Sequence, residues 1–176
     1  MEFELDTRKR IFEMIQSSPG IHMRELERTL DIAVGNLQYH LHYMEKKNLI
    51  STHKDEQFVR YFVKNKELDA DDRKVMSFLR KKACSHILVT LMEAPGMNNK
   101  DLSSAIGLSP STVSWHLNKL VASGIVQKTV CGRESKFKVM CPEKVAELII
   151  TYNASFFDKL LDNFIEMWEL KSKKSE

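Results

Sequence analysis

The chain has 176 residues with 43% hydrophobic and 29% charged side chains and a formal net charge of only +3, a composition that is typical of a packed globular protein and argues against a disordered one. No apolar run approaches the roughly 20 residues of a membrane helix, and residues 1–10 contain no apolar signal core, so we expect a cytoplasmic protein without membrane association. Three cysteines without a Cys-x-x-Cys spacing argue against a disulfide framework or a zinc ribbon, and we expect neither a metal nor a cofactor.

Two copies of one unit make up most of the chain. A shift of 76 residues, without a gap, aligns Pro19-Gly20 with Pro95-Gly96 and His40-Leu41 with His116-Leu117. Self-similarity at a fixed offset indicates a duplicated domain. We therefore predict an N-terminal domain at 1–67, a connecting helix at 68–81, a second domain at 82–141 and a C-terminal helical segment at 142–176.

The first copy predicts three helices followed by a hairpin. Apolar residues around Ile11 recur at helical spacing and stop at "SSPG", where proline and glycine favour a turn. A short helix, "MRELERTL", and a tight turn at Asp31 precede a third helix that turns Leu37 and Leu41 toward the core. The runs "LISTHK" and "FVRYFV" then read as two strands of a hairpin.

The outward surface of this first copy is polar and aromatic, and its hairpin tip contains the acids Asp55 and Glu56. Phosphate would be repelled by such a tip, so the surface suits either shallow DNA readout or contact with a protein. The candidate contact residues in the first domain are Asn36, Gln38, Tyr39, His42, Tyr43, Lys54 and Arg60.

Residues 68–81 are extra to the repeat. Asp69 and Asp71 near the start, with Arg80 and Lys81 at the end, complement the dipole of a helix. This charge pattern predicts the connecting helix.

The second copy repeats the plan with stronger local signals. Ser109 suits an N-cap and Pro110 suits the first position of the third helix. Val113, Leu117 and Leu120 recur at the spacing of a core-facing stripe. The runs "IVQKTV" and "SKFKVM" predict the second hairpin.

The second copy is also more basic. Residues 71–141 carry 11 Lys/Arg against 5 Asp/Glu, whereas residues 1–66 carry 11 against 10. A basic region favours a polyanionic partner, although a solvated lysine-rich face would give the same count. Hydroxyls, amides and lysines on one helix face can bond phosphates and base edges. The candidate DNA-binding residues are Ser109, Ser111, Thr112, Ser114, Trp115, Asn118, Lys119, Lys128, Arg133, Lys136 and Lys138.

Residues 142–176 begin with a proline and carry one broad apolar stripe. A single helix of about 28 residues would be about 42 Å long, which is more than one small domain can cover. The segment could break near Asn153 and fold back as a brace, or pair with a second chain. We expect the second outcome, a homodimer through residues 145–170. The candidate dimerisation residues are Leu148, Ile149, Tyr152, Phe156, Leu160, Phe164 and Trp168.

Two helices, a tight turn, a third helix and a hairpin follow the winged helix-turn-helix plan, in which the third helix enters the DNA major groove. The expected fold is mainly α with small β-hairpin wings: two tandem winged helix-turn-helix domains plus connecting and C-terminal helices. Since His40 and His116 occupy the same repeat position, we expect them to share a structural role rather than to bind a metal.

The phrase "SPSTVSWHL" at 109–117, followed by a leucine and a glycine before the wing, resembles the winged-helix regulators of the metal-sensing repressor (ArsR-like) superfamily. The whole chain is similar to archaeal transcription regulators with two winged helices in tandem. The first copy departs from that pattern, because "IAVGNLQYHL" lacks the Ser-Pro cap and the Ser-Thr pair. The cysteine-rich metal ligands of some relatives are absent as well.

These features predict a sequence-specific transcription regulator that binds double-stranded DNA, with the second winged helix as its main reader. Winged helices also serve as protein-interaction modules, so the alternative is a module that contacts a basal transcription factor or RNA polymerase. We find no nucleophile–base pairing, phosphate loop or metal spacing, and we do not expect an enzyme.

Overall fold

The computed structural model describes residues 2–64, 67–156 and 158–173. The chain divides into two compact units, Met1–Ser77 and Phe78–Glu176. Within the described residues, no helix is both long enough and apolar enough to cross a membrane.

The first unit follows the predicted order of three helices and a hairpin. Its strands form an antiparallel sheet in the order β1-β3-β2, with β3 in the centre. The sequence elements are α1 (Glu2–Ser17), β1 (Ile21–His22), α2 (Met23–Leu30), α3 (Val34–Lys46), β2 (Ile50–Asp55), β3 (Phe58–Val63) and α4 (Ala70–Leu79), whose last residues pass into the second unit.

The second unit repeats this plan and adds the tail. Its hairpin pairs Val126 with Val139 at the base and Cys131 with Glu134 at the tip. The elements are α5 (Lys82–Glu93), α6 (Asn99–Ile106), α7 (Pro110–Ala122), β4 (Val126–Cys131), β5 (Glu134–Val139), α8 (Pro142–Thr151), a 3₁₀ turn (Asn153–Ser155) and α9 (Lys159–Lys173). The predicted fold class, mainly α with small hairpin wings, is confirmed.

Local sequence signals set the turn between the second and third helices of each unit. Asp31 ends α2 with φ 53°, and Gly107, at the same repeat position, ends α6 with φ 70°. Both occupy the left-handed region, which glycine and aspartate tolerate better than most residues. In the second unit the Ser109 hydroxyl then accepts a hydrogen bond from the Thr112 amide, and Pro110 begins α7, as its sequence predicts.

The connecting helix begins where its acidic residues predict a start, but it ends before Arg80 and Lys81, the basic residues that predict its end. The Asp69 carboxylate accepts a hydrogen bond from the Asp72 backbone amide at 2.8 Å, and the Asp72 carboxylate accepts one from the Asp69 backbone amide at 3.1 Å. Such reciprocal capping satisfies two backbone donors that have no partner inside the helix. The helix stops at Leu79, and Arg80, outside the helix, contacts the tail instead.

The tail is not one helix. It breaks after α8, and α9 returns to pack against α5 and α8 within the second unit. The Arg80 guanidinium fixes the corner by donating to the Ser155 carbonyl at 2.8 Å and to its hydroxyl at 2.9 Å, while the His86 Nε2 lies 2.9 Å from an Asp158 carboxylate oxygen. Folding back, the alternative to the expected homodimer, is the arrangement observed in the single chain.

Burial along the tail follows from this corner. Ile149, Phe164 and Leu161 have 0%, 1% and 2% of their surface exposed. Leu148 is buried too, whereas Tyr152, Phe156, Leu160 and Trp168 are half-buried. The apolar stripe is therefore largely covered by its own unit, and the length argument for a second chain no longer applies.

Candidate nucleic-acid interface

Helix α7 separates its predicted core stripe from a polar face. Val113, Leu117 and Leu120 are 0%, 1% and 0% exposed, respectively. The opposite side presents exposed Ser111, Thr112, Ser114, Trp115 and Asn118.

Trp115 is the most unusual member of this face, because 51% of a large apolar side chain is exposed. The Lys119 Nζ lies 3.2 Å from the centre of the indole ring, and the His116 ring meets that ring edge-on at 4.7 Å. A cation over an aromatic face is attracted by the ring quadrupole. The indole is therefore held in one orientation, with an ammonium group beside it.

The hydroxyl groups at the start of α7 divide into two sets. Ser109 contacts the hydroxyls of Ser111 and Thr112 at 3.0 and 2.8 Å, and Ser114 accepts from the Asn99 amide at 2.7 Å. Ser109 and Ser114 thus help to hold α7 in place. Ser111 and Thr112 remain exposed for a partner.

The basic residues of the second hairpin lie on two different faces. Lys136 and Lys138 are exposed on either side of Phe137, which is only 6% exposed, so both lysines point away from the core. Lys128 pairs directly with Phe137 across the hairpin and shares its face. Arg133 is exposed in the turn. The four predicted cations of this wing therefore do not form one surface.

A cleft of about 330 Å³ lies between α6, α7 and the second wing. Its floor contains Leu117 and Phe137, and its rim carries lysines from two elements. The α6 side of the cleft was not predicted, because Lys100 lies two residues after the N-cap Asn98 and its local pattern indicates only the start of a helix. The polar lining residues are Asn98, Asn99, Lys100, Ser114, Asn118, Lys128, Glu134 and Ser135.

In the first unit, α3 presents the predicted polar and aromatic surface. Tyr39 stands at the repeat position of Trp115 and is 53% exposed. Tyr43 is half-buried, and the Arg8 guanidinium lies 3.9 Å from its ring centre. The remaining candidates Asn36, Gln38, His42 and Lys54 are exposed.

Arg60 is a correction to the predicted contact set. It is only 4% exposed, its Nε donates to Asp55 at 2.9 Å, and its Nη1 donates to the Gly20 carbonyl at 2.9 Å. Because β3 is the central strand of its sheet, this side chain is covered on the inner face. Arg60 fastens the wing to the domain, and the prediction that it contacts a partner is wrong.

The repeated histidines have corresponding contacts. The Arg8 Nε donates to His40 Nδ1 at 3.3 Å, and the Cys84 sulfur lies 3.3 Å from His116 Nδ1. Arg8 and Cys84 are themselves 76 residues apart. Each histidine thus links the third helix of its unit to the first helix, which is a structural role.

We expect the stability of the first unit to depend on pH through His40. Burial lowers the pKa of His40 below its ordinary value, the Arg8 charge lowers it further, and Glu4 partly opposes both. The unfolded chain then binds this proton more readily than the folded one, so the free energy of unfolding falls as pH drops below about 6.5. His40→Gln should flatten that dependence in urea titrations of the full chain between roughly pH 5 and 8. His42→Gln, a change at an exposed site on the same helix, is the control, and an unchanged slope in the His40 variant contradicts the assignment.

Comparison with known proteins finds a matching family model in each of the two units. A family model described as an N-terminal HTH domain matches residues 5–76. A second, described as winged helix-turn-helix DNA-binding, matches residues 85–127. Neither description names an enzyme.

A curated relative, an uncharacterised HTH-type transcriptional regulator of Methanocaldococcus jannaschii, is 32% identical over 122 residues, which are 69% of this chain and 30% of the relative. Two structures of the endosomal ESCRT-II complex are similar with TM-scores of 0.33 and 0.34, each at 16% identity over 81% of this chain and 63% of the matched chain. A conserved hypothetical protein from Chlorobium tepidum has a TM-score of 0.28 at 13% identity, over 83% and 99% of the two chains. The two matched family models show that the chain carries two helix-turn-helix domains in tandem, and over 122 residues it is similar to an archaeal HTH-type transcriptional regulator.

Proposed function

We propose that the protein is a sequence-specific, DNA-binding transcription regulator whose second domain is the main reader. The observation that carries this proposal is the outward face of α7, where exposed hydroxyl, amide and indole groups and the half-buried Lys119 ammonium stand beside a hairpin with exposed lysines. These side-chain types bond base edges and phosphates. The net basic charge of residues 71–141 adds attraction to a polyanion.

The roles divide by position. With α7 in the major groove, Thr112, Trp115 and Lys119 would reach base edges, because they lie on the outward face of the helix. Lys136 and Lys138, on the outer face of the wing, would neutralise phosphates and fix the register without reading sequence.

A second candidate function concerns the first domain. Its wing exposes Phe58 and Val59 at 37% and 42%, Tyr39 adds an exposed ring, and its buried arginine is committed to the fold. Exposed aromatic and aliphatic side chains favour a protein partner. We propose that this domain contacts a basal transcription factor or RNA polymerase, while the second domain holds DNA.

The state of assembly also stays a prediction. We propose a homodimer that uses the tail surface left half-exposed, around Trp168 and Met167, since helix-turn-helix readers commonly match a two-fold protein to paired half-sites. We propose a cytoplasmic location for the same regulator. The chain spans 30% of the length of the curated relative that it matches.

Replacing both Lys136 and Lys138 with alanine should weaken all duplexes alike. Each lost phosphate contact removes about one unit from the log–log dependence of affinity on salt, so the double variant should lose about two units. Binding titrations of the full chain with selected and random duplexes, at several salt concentrations, measure both effects. The matched control is Lys46→Ala with Lys47→Ala, which removes the same charge from exposed sites in the first unit. Equal loss in both double variants would show that net charge alone, and not this wing, drives binding.

A further inference from the structure

We infer that the cleft between α6, α7 and the second wing holds a phosphate group of the DNA backbone, and that Lys100 makes α6 a third DNA-contacting element. This inference rests on the proposed function and adds a site to it. The phosphate ligands would be Lys100 from α6, Asn118 from α7 and Lys128 from β4.

Three polar side chains enter this cleft from three separate elements without a partner of their own. Within the part of the chain that the structure describes, no hydrogen bond or ion pair engages the side-chain nitrogens of Lys100, Asn118 or Lys128. Their neighbour Ser114, in contrast, is already bonded to Asn99 at 2.7 Å. Two ammonium groups and a carboxamide that converge on one space supply the donors that a phosphate requires.

The surroundings of the cleft suit an anion on one strand of a duplex. Leu117 and Phe137 form an apolar floor, and both are buried. Charge interactions strengthen where water is partly excluded. Since Ser114 and Asn118 belong both to the lining and to the outward side of α7, a backbone running beside that helix would pass over the cleft.

The first domain shows what the same space looks like without this site. The repeat positions of Asn98 and Glu134 are occupied by His22 and Phe58, whose rings meet edge-on at 4.7 Å. Thr52 stands where the second domain has Lys128. Arg24 is exposed at the position of Lys100, so a cation is retained there but its opposing lysine and the open polar lining are not.

One acid opposes the proposed ligand. Glu134 lines the cleft, and one of its carboxylate oxygens lies 3.5 Å from the Asn98 amide. A carboxylate beside a phosphate is unfavourable, so Glu134 would moderate the affinity of the site. Removing its charge should therefore tighten DNA binding, which an ordinary exposed acid distant from DNA would not do.

The test uses the full chain and a duplex selected from a random library, in which each backbone phosphate is replaced in turn by a neutral methylphosphonate. Wild-type protein should lose roughly two- to fivefold in affinity at each contacted position, the range of a partly exposed charge pair. Lys100→Gln should become insensitive at one of those positions and keep the others. Arg24→Gln, the same change in the first domain, should keep the complete wild-type pattern.

Glu134→Gln should bind the unmodified duplex roughly two- to fivefold more tightly, whereas Glu143→Gln, an exposed acid on α8, should not. A methylphosphonate pattern in Lys100→Gln that equals the wild-type pattern overturns the inference. Failure of every selected duplex to bind wild-type protein would instead reject the proposed function.

A second arm separates the backbone from free phosphate. Inorganic phosphate replaces chloride at constant ionic strength, with the wild type and Lys100→Gln compared. If phosphate weakens DNA binding by the wild type alone while the methylphosphonate patterns agree, the cleft holds a free phosphate and the DNA assignment is wrong.

Discussion

Phe164→Ala should lower the free energy of unfolding of the second unit by about 3–5 kcal/mol, the usual cost of truncating a buried phenylalanine. Only 1% of Phe164 is exposed, and its ring lies 5.5 Å from that of Trp168. Its helix packs against α5, which in turn supports α7. Lost packing at Phe164 should therefore also destabilise α7, the helix proposed to read DNA. Urea unfolding of the full chain, followed by tryptophan fluorescence, measures the change.

Met140→Ala in the same unit is the matched control, because 49% of this side chain is exposed and it lies outside the surface proposed for the dimer. It should alter stability by no more than about 0.5 kcal/mol, as surface substitutions usually do. A small effect at Phe164 would show that α9 does not brace the unit.

Protein concentration distinguishes a brace from a dimer interface. Unfolding of a self-contained unit has a midpoint that is independent of concentration, whereas a dimer that dissociates on unfolding becomes more stable as concentration rises. If the midpoint rises with concentration and Met167→Ala, a change in the proposed dimer surface, abolishes that rise, the proposed homodimer through the outer face of α9 is supported. A constant midpoint and a monomer mass at tens of micromolar would reject the dimer and leave the tail as an intramolecular brace.

The order of helices and strands in each domain could be predicted from sequence, because the turn and capping residues that determine it act locally and occur in both copies. Asp31 and Gly107 mark the same left-handed turn, and Ser109-Pro110 marks the start of α7. Each of these residues acts on its own backbone or on that of a close neighbour. The repeat at a fixed offset of 76 residues then indicates that both copies adopt the same fold.

The path of the tail could not be predicted, since an apolar stripe shows which residues are buried and not what covers them. The break depends on weak signals: Asp158 accepts from the Leu160 amide at 3.0 Å at the start of α9, and Asn153 accepts from the Ala154 amide. The decisive contact is Arg80 to Ser155, which joins residues 75 positions apart. No local pattern contains that pair.

The candidate interface divides in the same way. The outward face of α7 follows from helical spacing alone. The cleft joins Lys100, Asn118 and Lys128 from three elements, so its existence depends on packing. Arg60 shows the converse error: alternation along a strand identifies its face, but only the sheet order reveals that β3 is central and that the arginine is enclosed.

Trp115→Ala should narrow the difference in affinity between selected and random duplexes by roughly tenfold, within the range of about 1–3 kcal/mol for a base-reading contact. The indole is exposed, so the change should leave the fold intact, yet it removes an apolar surface suited to a thymine methyl group and frees Lys119 from its place over the ring. Competition titrations with selected and random duplexes measure the ratio.

Replacing each thymine of the selected duplex with uracil locates the contact, because uracil lacks only the methyl group that the indole would touch. Wild-type protein should weaken at one such replacement, and Trp115→Ala should be indifferent to it. Tyr39→Ala is the control, since Tyr39 is equally exposed at the same repeat position of the first domain. If Tyr39→Ala narrows the ratio of specific to random affinity and Trp115→Ala does not, the first domain is the reader. That result would contradict the proposal that the second domain, with its basic wing and capped α7, reads the DNA.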